Sequence, residues 1–278
     1  VVTIKRNIRL LSAIGLSVAG CNGSVNLDVA DAPVDKAANV FVQFSGVSFQ
    51  PSGAAAVNVS FNPPLTIDLL ALKDGNTASL VSGKKLRDGN YDSLTLTVNA
   101  STDASDSYLI LKDDSAKTKQ PLSLIATDGL TLSGGFSLSK DKTKNLVIDF
   151  DLRKSVRDPL TGNTIYRLKP ALRLVDADNS GSIGGTVTGT GACAVYVYQG
   201  SNATTGDEGS ATPPLSSAVV RADQTYKAGF LPPGNYTVAA TCNADKDSAD
   251  TSGDAINLQG KANVSVQAGV VTAKDFSL

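Results

Sequence analysis

Beyond its first twenty residues the chain alternates apolar and polar side chains in runs of five to eight residues, broken by Gly, Asn, Asp and Ser clusters, with no convincing stripe at helical spacing. A period of two sends successive side chains to opposite sides of a strand. Such a chain can hide its apolar residues only between sheets. In the first part the pattern predicts strands near residues 40–49, 55–61, 65–72, 91–99, 108–112, 121–125, 135–138, 146–152 and 166–175. Asp88-Gly89-Asn90 supplies turn chemistry just before Tyr91, after which Leu94, Leu96 and Val98 alternate cleanly. A polar, glycine-containing run from Asp176 to Ser182 leads into a second block, with strands near 184–190, 193–198, 217–222, 226–230, 236–242, 262–266 and 271–278. The expectation is therefore all-β: a sandwich-like domain over residues 25–176, a linker at 177–183, and a small seven-stranded sandwich over 184–278.

The first twenty residues obey a different rule. Lys5, Arg6 and Arg9 occur without an acidic residue, an apolar run follows from Leu10 to Ala19, and small residues close it at Val18-Ala19-Gly20-Cys21. This is the layout of a secretory signal, and its apolar run is too short to cross a bilayer, which takes about 20 residues. The segment resembles a bacterial lipoprotein signal ending in a lipobox. That resemblance implies cleavage after residue 20, acyl chains on Cys21, a short tether at 21–24, and a protein held on a membrane without spanning it. Asn22, in place of Asp, implies by the same resemblance sorting to the outer membrane. An ordinary signal that happens to contain a cysteine is the plainer alternative.

Composition removes several functions. The sequence has no His, Trp or Met and only 5% aromatic residues. Without His the commonest general base and metal ligand is missing, which excludes the familiar hydrolase triads and zinc sites. Without Lys5, Arg6 and Arg9 the balance is 22 basic against 26 acidic residues, net −4. Nucleic acid is therefore not an expected partner, because backbone binding needs a concentrated basic field. Cys193 and Cys242 lie in alternating stretches of the second block, and an exported chain permits a disulfide between them. Two buried free thiols are the alternative.

The second block carries Gly184-Gly185-Thr186-Val187-Thr188-Gly189, Tyr226-Lys227-Ala228-Gly229-Phe230 and Leu231-Pro232-Pro233-Gly234-Asn235-Tyr236-Thr237-Val238, and ends with residues 271–278. It resembles the carboxypeptidase regulatory-like, or transthyretin-like, sandwich, whose members are accessory modules that brace, space or bind. In the Pro-Pro-Gly-Asn-Tyr run the prolines fix an extended entry, Gly234 permits a positive φ, and Tyr236 opens a strand with its ring inward. The first block carries Val29-Ala30-Asp31-Ala32-Pro33-Val34-Asp35, Ile67-Asp68-Leu69-Leu70, and Phe150-Asp151-Leu152-Arg153-Lys154-Ser155-Val156 with Leu168-Lys169-Pro170. Over about 25–175 it resembles a bacterial family of unknown function found behind lipoboxes, a likeness that implies an exported β-fold and brings no functional residue with it.

Three constellations could carry chemistry. On an expected strand from Leu146 to Arg153, the side chains of Asp149, Asp151 and Arg153 share a face, with neighbours about 6.6 Å apart, which falls within the carboxylate spacing of inverting glycosidases. Parallel side chains lack a cleft, so neutralisation by Arg153 on a wet sheet face or at a domain seam is the favoured reading. In the linker, Asp176, Asp178 and Ser180 imitate the start of a calcium loop, but Val187 stands where the closing Glu should be; no cofactor is expected unless calcium binds a partial site there. Asp245, Asp247, Asp250 and Asp254 form an acidic loop suited either to an ion or to ordinary turns.

Two basic clusters, Lys84, Lys85 and Arg87, and Lys140, Lys142 and Lys144, are placed in loops or at strand ends as solubilising tips, with acidic polysaccharide or lipid headgroups as the alternative contact. Taken together the residues predict a lipid-anchored, non-catalytic envelope protein that binds or spaces through its loops, with an envelope protein or polysaccharide as partner. The first alternative is a carbohydrate-binding accessory lipoprotein presenting Tyr196, Tyr198 or Tyr226. The second is an envelope hydrolase working with aspartates alone.

Overall fold

The computed structural model describes residues 22–32, 36–125 and 130–278. Cys21 and the leader lie outside the described residues, as do Pro33, Val34 and Asp35. The first domain comprises β1 (Asn22–Ala32), β2 (Ala37–Pro51), β3 (Val57–Asp68), β4 (Ala78–Arg87), β5 (Gly89–Asn99), β6 (Tyr108–Leu111), β7 (Gln120–Leu124), β8 (Leu130–Leu138), β9 (Thr143–Asp151), the helical turn α1 (Leu152–Ser155), β10 (Val156–Arg157), β11 (Tyr166–Leu168) and β12 (Leu172–Asp176). The second comprises β13 (Gly181–Thr188), β14 (Ala194–Gln199), β15 (Ser216–Val219), β16 (Thr225–Leu231), β17 (Gly234–Thr241), β18 (Gln259–Val266), β19 (Val271–Ala273) and β20 (Phe276–Ser277).

In the first domain a four-stranded sheet, ordered β12-β9-β1-β4, contributes to a common core with a larger sheet ordered β10-β11-β7-β6-β2-β5-β8, in which β3 also pairs with β2. Their inner faces bury Val25, Leu27 and Val29 of β1, Leu146, Ile148 and Phe150 of β9, and Leu94 and Leu96 of β5. β2 shows how a long strand keeps its apolar side inward. Val40, Val42 and Phe44 are buried at even positions, a register shift falls between Phe44 and Gly46, and Val47 and Phe49 are then buried at odd ones. The extra residue turns the strand by one position, so that the same face stays apolar on both sides of the bulge.

The second domain is a smaller two-sheet sandwich. β16, β13 and β19 form one sheet, with β20 also pairing β13, and β15-β14-β17-β18 form the other. Ile183, Val187, Val195, Val197, Tyr236 and Val238 meet between them. Each expected strand of this block is present, the last as two short pieces, β19 and β20, both parallel to β13. A disulfide joins Cys193 to Cys242 across the ends of β14 and β17, whose Ala194 and Thr241 are register partners.

Several elements differ from the sequence reading. Asn22, Gly23 and Ser24, expected in a tether, already belong to β1, because Val25, Leu27 and Val29 alternate into the core and β1 pairs with β4 and β9 along its whole length. Lys84, Lys85 and Arg87, expected in a loop or at a strand end, close the strand β4, which the sequence pattern does not predict because its pairing with β1 is irregular and Gly83 takes φ 60°. The linker is much shorter than 177–183: a 3-10 turn, Ala177–Asn179, passes the chain from β12 to β13, and Gly181, Ser182 and Ile183 are strand residues. Gly234 does not take a positive φ; Phe230, at φ 53°, supplies the left-handed residue nearby. The expected strand through Arg153 ends at Asp151, where a helical turn begins.

Candidate functional site

That turn positions the main charge cluster. Asp151 caps α1 by accepting a hydrogen bond from the Lys154 backbone N–H at 3.2 Å, and the same carboxylate accepts the Lys154 Nζ at 2.9 Å. Capping breaks the strand's period, so Arg153 does not share a face with Asp149 and Asp151. It turns toward the second domain, donates from Nη1 to the Ala244 carbonyl at 2.9 Å, and stands 5.7 Å from the centre of the Tyr196 ring. The partner of Asp149 is Arg173, on the neighbouring strand β12, whose Nε donates to Oδ2 at 3.0 Å and whose Nη2 donates to the same oxygen. Asp149, Asp151 and Arg153 are all about 5% exposed, so each lies in a dry domain seam and not on a wet sheet face.

From the second domain the cluster receives Glu208, the only glutamate in the sequence. Its side chain is fully buried, and Oε2 lies 3.6 Å from Lys154 Nζ. Nothing in sequence pattern marked Glu208, because it sits in a long irregular segment between β14 and β15. Burial, and next the negative charge of Asp151, raise the Glu208 carboxyl to about 8, against the pull of Lys154 and Arg153. Burial also pushes Asp149 up, opposed chiefly by Arg173. For Lys154, burial acts against the ammonium, but Asp151 and Glu208 outweigh it and hold its pKa above the usual value.

The irregular segments of the second domain that carry Glu208 and Ala244 cover the outer face of β14. That strand is buried on both sides: Val195 and Val197 enter the sandwich core, while Ala194, Tyr196 and Tyr198 join Ala244 and Ile256 beneath the loops. The Tyr196 hydroxyl donates to Asp247 at 2.6 Å, and Asp247 also accepts the Glu208 backbone N–H at 3.1 Å. Asp207 ties the two loops together, accepting from the backbone N–H groups of Gly253 at 2.6 Å and Asp254 at 2.9 Å. Asp250 reaches back to the first domain, pairing with Arg157 at 3.2 Å and Arg167 at 3.1 Å. Beside the seam a small cleft of about 40 Å³ is lined by Lys36, Arg157, Tyr166, Asp245, Asp247 and Asp250 among others.

The remaining sequence candidates are scattered. Asp176 pairs with Lys144, Asp178 accepts from Asn145 at 2.9 Å, and Ser180 donates to the Ala177 carbonyl at 3.1 Å, so the linker residues do not turn toward one centre. Asp254 holds its own loop through Ser248 and Thr251, and the acidic loop as a whole braces the seam. Among the described residues no group of three or more acidic, cysteine or histidine side chains is arranged to hold a metal ion. Tyr196, Tyr198 and Tyr226 are at most 2% exposed, which removes them as a sugar-stacking platform. Their hydroxyls are satisfied internally, by Asp247, the Gly206 carbonyl and the Lys274 carbonyl respectively.

No curated protein matches the chain. Among solved structures, it is similar to the Bacillus anthracis TIE protein at 12% identity and a TM-score of 0.23, covering 91% of this chain and 33% of that one. It is similar to GBS52, the minor pilin of Streptococcus agalactiae, at 9% identity and a TM-score of 0.23, covering 91% of this chain and 95% of that one. A streptococcal ancillary pilin gives 10% identity and a TM-score of 0.21, over 92% and 62% of the two chains. The chain thus spans about a third of the first of these proteins. The family model described as "Domain of unknown function (DUF4382)" matches residues 22–170, more than half of the sequence and nearly all of the first sandwich, and the chain belongs to that family.

Proposed function

We propose that this protein is a lipid-anchored, non-catalytic module of the bacterial cell envelope, which holds a pair of coupled sandwiches at the membrane and works by contact. The single observation that carries this reading is the seam. Of the side chains best suited to acid and base work, Asp149, Asp151 and Glu208 are buried and Lys154 is half-buried, and they turn toward one another and toward Arg173, where they join two domains. A general acid or base must reach a substrate proton, and the three carboxylates are each only about 5% exposed. The second domain's likeness in sequence to carboxypeptidase regulatory-like sandwiches supports a bracing or spacing role. The leader supports the anchor: a basic start, a short apolar run, and Cys21 immediately before the first strand. Outer-membrane sorting follows from Asn22 on the same reading.

Metabolic labelling with an alkyne palmitate tests the anchor. The native chain becomes labelled and fractionates with membranes, and Cys21→Ala loses both properties. Label that persists in Cys21→Ala places acylation elsewhere and overturns the assignment.

A further inference from the structure

The two basic clusters are 53 residues apart in sequence at their nearest members, Arg87 and Lys140, and the fold brings them to one place. β1 begins between them. On one side Asn22, Ser24 and Val25 pair with Arg87, Lys85 and Lys84 of β4. On the other side Ser24 and Val25 pair with Thr143 and Lys144 of β9, while the Ser24 N–H donates to the Lys142 carbonyl at 2.8 Å and the Asp141 N–H donates to the Asn22 carbonyl at 3.0 Å. Lys85 Nζ donates to the Ser24 hydroxyl at 2.8 Å. Lys84, Lys85, Arg87, Lys140, Lys142 and Lys144 therefore ring the first four residues of the first strand. Lys85, Arg87, Lys140 and Lys142 are exposed and Lys84 is half-buried. Among the described residues only Lys144 of the six has a carboxylate partner, Asp176. Asp88 and Asp141 are the acids in the adjoining turns, so the end carries an excess of cations on a protein whose overall charge is negative.

We infer that this collar is a docking surface for an anionic phospholipid bilayer. The inference rests on the anchor reading in one respect: residue 22 is already in the sheet, so acyl chains on Cys21 would enter the membrane with no tether between them and the collar. One residue of extended chain spans at most about 3.6 Å, which brings the lysines to headgroup depth. Lipid phosphates supply the negative charge that these cations face, and stable membrane attachment commonly combines acyl chains with a basic patch. The collar would orient the protein as well as strengthen its hold, with the β1 end down and the opposite end of the first sandwich away from the membrane.

The test separates the collar from the anchor by using residues 22–278, which contain every described strand, both hydrophobic cores and the disulfide, and no site for acylation at Cys21. Co-sedimentation is measured with vesicles of phosphatidylcholine alone and with about 30% phosphatidylglycerol. Binding is expected only to the anionic vesicles, and is expected to vanish near 0.5 M salt, where surface charges are screened. Each basic residue contributes roughly five-fold, so a Lys84→Gln/Lys85→Gln/Lys140→Gln/Lys142→Gln variant with unchanged thermal unfolding should bind at least about 100-fold more weakly. A matched variant, Lys112→Gln/Lys117→Gln/Lys246→Gln/Lys261→Gln, should bind like the parent. Equal binding to neutral vesicles, no binding to either, equal weakening by both variants, or preferential capture by a soluble acidic polysaccharide would each overturn the collar's role. None of these outcomes touches the acylation of Cys21, which the palmitate experiment decides by itself.

Discussion

Both domains contain the tripeptide Gly-Asn-Tyr at the start of a strand, Gly89-Asn90-Tyr91 and Gly234-Asn235-Tyr236, and both use its tyrosine in the same way. The ring is buried and the hydroxyl donates to the carbonyl of the residue four positions earlier, Arg87 at 2.8 Å and Pro232 at 2.7 Å. Each tyrosine thus fixes the corner by which the chain enters its sheet, much as a tyrosine corner does in other sandwiches. Tyr91→Phe and Tyr236→Phe keep the ring and remove the bond, leaving a carbonyl without its partner. Each is expected to lower stability by about 1 kcal/mol, and the double variant to lose the sum, because the sites lie in separate cores. Urea denaturation measures this; a loss well below 0.5 kcal/mol in both would show that water replaces the hydroxyl. The turn before Tyr91 and the inward ring of Tyr236 are legible in the sequence. The route of the turn was not, since Phe230, and not Gly234, takes the left-handed conformation.

Among the elements, strands with clean alternation, such as β14 and the part of β5 from Leu94 to Val98, are readable because one period accounts for them. Those with irregular pairing were harder. β4 was missed because its apolar residues Leu80, Val81 and Leu86 fall out of step around Gly83. The period of β9 predicts a strand one or two residues too long, since no periodicity announces that Asp151 will cap the backbone of Lys154. In the second domain the disulfide closes the central hydrogen-bonded pair β14 and β17, with Cys193 and Cys242 separated by 49 residues. Restricting the unfolded chain over a loop of that size stabilises by about 4 kcal/mol on the entropic account. Cys193→Ser/Cys242→Ser should therefore lower the unfolding midpoint of the second domain while leaving the first domain's transition where it was. Calorimetry resolves the two. Equal shifts in both transitions would mean that the seam makes the whole chain a single cooperative unit.

For the whole molecule, the seam is the feature that makes the protein sensitive to pH. Glu208, near 8 in the folded protein, returns to the ordinary carboxylate range, about 4.5, when unfolded. Between those values the folded state holds a proton that the unfolded state releases, so stability is greatest below the lower value, falls as pH rises through the window, and levels off above about 8. The slope from this group is at most about 1.4 kcal/mol per pH unit. Glu208→Gln keeps the shape and loses the proton equilibrium, so its stability should decline less between pH 5 and 8. Asp149 and Asp247, also raised by burial, leave a residual slope. Parallel stability curves for the two proteins would show that Glu208 stays ionised beside Lys154.

Sequence alone determined the all-β class and the alternating faces, because those depend on local period and turn chemistry. Only the tertiary structure decided that Glu208 meets Lys154, that Tyr196 and Tyr198 lie under loops, and that two distant lysine clusters meet at the start of β1. The reason is physical: a strand's period says which residues share a face, but which faces meet and which charges lose their water depend on strand order and on how loops cover a sheet.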